Sequence, residues 1–290
     1  MTTSVLEIAA AGTRAAVSLH GAELRRWSVA GHDILWTPDA TVWNAVAPVL
    51  FPVVGWTRGG TVRIDGRTYP LGLHGFASER TFTLADRSDA SLRLVDRADA
   101  ESRRLYPFDY RLTLEFAVSD AGLSCVAEVA NEGDRLMPYA FGLHPGFRWP
   151  QRTDATIVFQ TSEEPSVPEI TPGGLFANDR RPVPLEDRRL AVTRDLMARE
   201  ALCFLDIRSA RLTYEAPDFG RLRIEHENVP HIALWSRPPA PYLCIESWTG
   251  HGDPDGFEGD LRDKPSMRLL PPGGRARHVV RYAFEPAQDP

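Results

Sequence analysis

Lysine is almost missing from this 290-residue chain: Lys264 stands alone among basic residues that are otherwise arginine. An imine-forming lysine would have to be Lys264, and its neighbours Asp263 and Pro265 predict an exposed turn instead. Cysteine is scarce as well. Cys125, Cys203 and Cys244 are odd in number, far apart and each set in an apolar run, which argues against a disulfide framework or a thiolate zinc site and for reduced core residues. The apolar N-terminal segment is broken by Glu7 and Arg14 and has no basic leader, so neither a signal peptide nor a membrane span is expected, and the location expected is cytoplasmic. No glycine-rich strand-to-helix fingerprint and no G-x-S-x-G elbow occur, which leaves nucleotide cofactors and a serine nucleophile without support. A formal net charge of -6 disfavours nucleic acid or an anionic membrane as partner.

What is present is the rhythm of short strands. Hydrophobic content of 43% and charged content of 25% fit an ordinary globular protein, and all-β chains of this length are commonly one domain, so residues 1–290 are expected to form one unit. Thr61 to Leu71 carries Asp65-Gly66 between alternating residues, a strong hairpin signal. Tyr110 to Val118 and Leu123 to Val129 alternate apolar and polar positions about the turn Asp120-Ala121-Gly122, which predicts a long antiparallel hairpin. Ala47 to Val54 is apolar on both faces but holds two prolines, so it reads as a buried extended segment lacking some ladder bonds. The prolines, glycines and charges of residues 165–184 predict a long surface connection. Met267 to Leu270 and His278 to Phe284 read as a final hairpin-like pair, and Arg194 to Glu200 as a single helical turn.

Three segments carry candidate chemistry. Glu246 lies in PYLCIESWTG, where a period-two reading puts it on one face with Tyr242, Cys244 and Trp248. A carboxylate desolvated among such neighbours becomes a stronger base, whereas at an exposed sheet edge it would be an ordinary surface acid. His74 and His144 each sit in a short apolar, glycine-containing segment. Singly, a histidine in such a setting is more often structural, but the three together supply an acid, a base and an orienting donor. The acidic residues Asp253, Asp255, Glu258 and Asp260 do not follow the ligand order of a calcium loop, so a solvated turn and no metal are expected.

LHGFA at 73–77, GLHPGF at 142–147 and CIESWTG at 244–250 resemble, in order and spacing, the histidine, histidine and glutamate motifs of the aldose 1-epimerase (galactose mutarotase) family. APVLFPVVG before the DGR hairpin, YPFDYRLTLEF, IALWS and LRDKPSMRLLPPGG are similar to that family's less characterised bacterial branch, so the resemblance spans nearly the whole chain. It implies a large antiparallel β-sandwich and a cofactor-independent mutarotase acting on a small sugar, phosphorylated or not, in a monomer or homodimer. Glu246 then corresponds to the general base, His144 to the general acid and His74 to a substrate-binding histidine. Two positions depart from the family pattern. Trp56 stands where relatives carry a sugar-binding arginine, with Arg58 two residues on, and Glu200 stands where they carry an aspartate. Trp56, Arg58 and Glu200 are therefore candidate substrate contacts. The alternatives implied are a sugar-phosphate mutarotase, with Arg58 and Arg80 as the suggested phosphate ligands, and a carbohydrate-binding or sensing protein on the same fold.

Overall fold

Tyr110–Ser119 and Gly122–Asn131 pair antiparallel around the two-residue turn Asp120-Ala121, with Tyr110 opposite Asn131 and Ser119 opposite Gly122. The alternation read from sequence is the alternation of burial: Tyr110, Leu112, Leu114, Phe116 and Val118 point inward, and the residues between them are partly solvated. This computed structural model describes residues 4–150 and 154–287. The hairpin lies within a ten-stranded antiparallel sheet running, edge to edge, through Leu185–Glu186, Arg189–Val192, Ala155–Phe159, Arg211–Ala216, Gly220–Glu227, Arg275–Pro286, Gly122–Asn131, Tyr110–Ser119, Ser91–Arg97 and Thr83–Arg87.

A second sheet runs through Leu202–Phe204, His231–Trp235, Tyr242–Trp248, Gly142–Leu143 and Val49–Leu50, with Gly146–Arg148 also pairing to Tyr242–Trp248. Its inner face packs on the ten-stranded sheet, as the ring contacts Phe147–Tyr282 at 5.7 Å and Phe159–Phe204 at 5.1 Å show. Phe51, beside the short strand Val49–Leu50, meets Tyr110 at 5.0 Å. Each fully buried side chain of this core contributes about 1.5–3 kcal/mol of transfer free energy, so the sandwich is a rigid floor on which the other face of the smaller sheet is displayed. Among the described residues, no helix is long and apolar enough to cross a membrane.

Asp65 and Gly66 take left-handed φ of 49° and 76° between strands Thr61–Ile64 and Arg67–Pro70, as the two-residue hairpin requires. Three expectations are corrected. Residues 165–184 are not an unstructured connection: Ser166–Ile170 pairs with Phe176–Pro182. The prolines are tolerated because both strands of a two-stranded ribbon are edge strands, and the register shifts between Pro168 and Ile170. The last two strands are not partners, since Arg268–Leu270 pairs with Met137–Tyr139 while Arg275–Pro286 enters the large sheet. Lys264 is not in an exposed turn. It is buried at 2% exposure, its ammonium 2.9 Å from Asp253.

Candidate active site

Strand Tyr242–Trp248 is bonded on both sides, by His231–Trp235 and by the pair Gly142–Leu143 and Gly146–Arg148. It is therefore central, not an edge, and its whole length is buried. Leu243 and Ile245 enter the main core. Glu246 and Trp248 point to the opposite face, where Trp248 clusters with Leu50, Val54, Cys203 and Ala233. Glu246 is 2% exposed. The Trp248 indole N–H donates to Glu246 Oε2 at 3.0 Å. Burial drives the Glu246 carboxyl well above the usual carboxylate range, and the Trp248 hydrogen bond offsets only part of that rise.

His144 occupies the break between strands Gly142–Leu143 and Gly146–Arg148, its backbone N–H bonded to Pro48 O at 3.1 Å. Its Nε2 lies 3.3 Å from Glu246 Oε2. Burial, and secondarily His74, push its pKa well below the ordinary imidazole value. The glycines on either side explain the GLHPG pattern. A Cβ on Gly142 would come within 2.8 Å of the Trp248 ring, and one on Gly146 within 2.9 Å of Trp36 and Trp43. Both positions must be bare for the aromatic side chains to close around the pair.

His74 sits at a left-handed φ of 62° followed by Gly75 at 72°. A Cβ at Gly75 would meet Phe51 O at 2.3 Å, so a side chain there is excluded both by backbone conformation and by space. The Gly55 N–H donates to His74 Nδ1 at 3.1 Å, and the His74 N–H returns a bond to Gly55 O at 3.0 Å. Because Nδ1 accepts, the neutral ring carries its proton on Nε2. Burial lowers the His74 pKa to about 4, although the residue as a whole is half-buried. Its centroid is 5.5 Å from that of His144. One donor atom each from His74, His144 and Glu246 lie within 4.8 Å of one another. Two imidazoles and a carboxylate are a donor set that a metal ion accepts. The Gly55 N–H occupies Nδ1 of His74, which leaves its Nε2 as the available donor, and the Glu246 carboxylate lies 3.3 Å from His144 Nε2.

The structure adds an aromatic wall that sequence reasoning passed over. Trp43 and Trp235, both half-buried, stand 5.1 and 5.6 Å from His144 and 5.5 Å from each other. The available signal was two tryptophans in otherwise small or apolar stretches, VWNAVAP and IALWS. The four remaining candidates are placed differently. Trp56 is 47% exposed, follows the Gly55 that holds His74, and lies on the tip of the 166–182 hairpin, where a Cβ on Gly174 would fall 2.0 Å from its ring. The Arg58 head group is turned to the acidic loop, with Nε donating to Phe257 O at 3.1 Å and a 3.0 Å ion pair to Asp255. Glu200 is exposed, and its carbonyl accepts from Arg181. Arg80 is bound to Asp96 and Asp99. Arg58 and Arg80 are thus each committed to carboxylates and do not form a phosphate clamp.

The aldose 1-epimerase family pattern matches residues 4–250. The chain is 28% identical over 257 residues to protein LacX (chromosomal) of Lactococcus lactis subsp. lactis, covering 83% of this chain and 86% of that protein. It is similar to the crystal structure of a galactose mutarotase-like protein from Lactobacillus casei, with a TM-score of 0.92 and 26% identity over 97% of this chain and 100% of that one. It is also similar to a galactose mutarotase related enzyme from Lactobacillus acidophilus, with a TM-score of 0.89, 25% identity and 99% coverage of each chain.

Proposed function

Because the chain belongs to the aldose 1-epimerase family, we propose that it interconverts the α and β anomers of an aldose, with Glu246 as base, His144 as acid and His74 as a substrate-binding donor. The observation that carries this reading is the buried contact between Glu246 and His144, two groups of opposite function 3.3 Å apart beside an aromatic wall. Glu246 takes the proton of the anomeric hydroxyl, and the O1 electron pair forms the C1=O bond. The bond from C1 to the ring oxygen breaks, and that oxygen takes a proton from His144. Rotation about C1–C2 presents the other carbonyl face, and the same steps in reverse close the ring.

Proton balance follows from the pair. Ring opening uses the pair as carboxylate and imidazolium and leaves it as carboxylic acid and imidazole. Both states hold one proton, so the pair is a two-site carrier that returns to its starting state on ring closure. Burial favours the uncharged arrangement and makes the carboxylate a strong base and the imidazolium a strong acid in the charged one. The Nε2–H of His74 supplies a hydrogen bond to a sugar oxygen, and Trp43 and Trp235 offer flat apolar surface to the C–H face of a pyranose.

The test is two-dimensional exchange NMR of anomer interconversion over neutral aldoses and their 6-phosphates. Acceleration of at least one sugar above the buffer rate is expected. Tight binding of a sugar with no acceleration of any would replace the mutarotase by a sugar-binding protein.

A further inference from the structure

Lys264 and Asp253 stand outside the proton-transfer set, yet their burial needs a reason. Most ion pairs of this chain are solvated arginine–carboxylate contacts. The Lys264–Asp253 pair instead has side-chain exposures of 0% and 6%. Nζ lies 2.9 Å from Oδ1, but the two atoms are out of hydrogen-bond alignment and neither finds another hydrogen-bond partner among the described residues. Burying two charges costs desolvation that their attraction only partly offsets, so such a pair is a poor source of stability. Its value lies in what it holds in place.

Asp253 knits together three segments. Its N–H donates to Trp56 O at 2.8 Å, its Oδ2 accepts from the Arg58 N–H at 2.8 Å, and its carbonyl accepts from the Phe176 N–H at 2.9 Å. The preceding Gly252 lies against Gly55, so closely that a Cβ on Gly55 would come within 2.6 Å of it. Residues 55–58 are thus clamped by the loop that Lys264 anchors, and Gly55 in turn exchanges two hydrogen bonds with His74. We propose that the Asp253–Lys264 pair is a positioning device for His74. By fixing residues 55–58 it aims the Gly55 N–H at Nδ1 and so keeps the His74 proton on Nε2, facing substrate.

This inference rests on the mutarotase reading for its kinetic consequence but not for its structural one, so two readouts are used. Nitrogen-15 NMR of histidine-labelled protein reports the His74 tautomer without any substrate. Anomer-exchange kinetics report KM and kcat. The double variant Asp253→Asn/Lys264→Met removes both charges while keeping volume and an acceptor for Arg58. It is expected to populate both His74 tautomers and to raise KM roughly tenfold with kcat changed less than about threefold. If the double variant does not fold, Asp253→Glu, which keeps the charge pair but lengthens the arm, takes the same readouts with the same expected direction. A folded variant with the Nε2–H tautomer alone and the wild-type KM overturns the proposal and leaves the pair a purely structural one. If the wild-type protein accelerates no sugar, the mutarotase reading fails and the tautomer measurement alone decides the positioning role.

Discussion

Replacing Glu246 with glutamine separates chemistry from shape. Glu246 Oε2 accepts from Trp248 Nε1 at 3.0 Å and faces His144 Nε2 at 3.3 Å. A glutamine oxygen in that position accepts the same indole N–H, so the aromatic packing and the strand survive while the base is lost. Removing a positioned general base typically costs about 10²- to 10⁴-fold, or about 3–5 kcal/mol in the barrier. The upper part of that range is expected because the neighbouring base is inadequate: His74, held to a pKa of about 4, is too weak to substitute for a carboxyl raised by burial. The assay is exchange NMR at saturating and subsaturating sugar, with KM expected within about threefold of wild type because the lost interaction acts in the transition state. A Glu246→Gln protein that keeps a third or more of wild-type kcat would refute the assignment. The same variant has a stability signature. Glu246 titrates in the native state above its ordinary value of 4.5, so the cost of burying its charge is absent below that value and grows as pH rises towards the native pKa. The melting temperature of Glu246→Gln relative to wild type should therefore increase from pH 4 to pH 8.

The rate should follow a bell-shaped pH profile, because activity needs one proton on the Glu246–His144 pair: the acid limb marks gain of a second proton and the alkaline limb loss of the last. His74, lowered to about 4 from 6.5, stays neutral in the native state where the unfolded chain already binds a proton. Its contribution to stability is complete above 6.5 and is lost as pH falls from 6.5 through about 4, so denaturant titrations of His74→Asn should show a shallower acid slope than wild type. Gly75→Ala places a side chain 2.3 Å from Phe51 O at a φ of 72°; about 1–2 kcal/mol of backbone cost, together with the clash, should lower Tm and displace His74, with activity falling more than tenfold by the same NMR assay. Leu114→Ala, at a fully buried position in the long hairpin of the large sheet, should cost about 2–5 kcal/mol in chemical denaturation while leaving kcat of the folded protein unchanged.

Local pattern was enough wherever one stretch carried its own instruction. Alternation in Tyr110–Ser119 and Gly122–Asn131 states which face is buried, and Asp65-Gly66 states where the chain turns, because side-chain period and turn φ are properties of neighbouring residues. The 166–182 hairpin was illegible because its prolines advertise a loop, and only a two-stranded ribbon, each of whose strands has an outer edge, makes them acceptable in strands. The burial of Lys264 was illegible for a different reason: its counter-ion Asp253 is eleven positions away, in a loop whose composition reads as solvated.

For the site, the sequence by itself determined the residue types and their contexts: a carboxylate on an aromatic strand face, and two histidines flanked by glycines. Those contexts carry meaning because desolvation and close packing depend on immediate neighbours. Only the tertiary structure decided that strand Tyr242–Trp248 is central and not an edge, since partners on both sides come from residues 142–148 and 231–235. It also decided the 3.3 Å approach of Glu246 to His144, the tautomer of His74 and the turning of Arg58 towards Asp255. Each of these is a contact between residues remote in the chain, and no local periodicity encodes where a distant backbone N–H or charge will arrive.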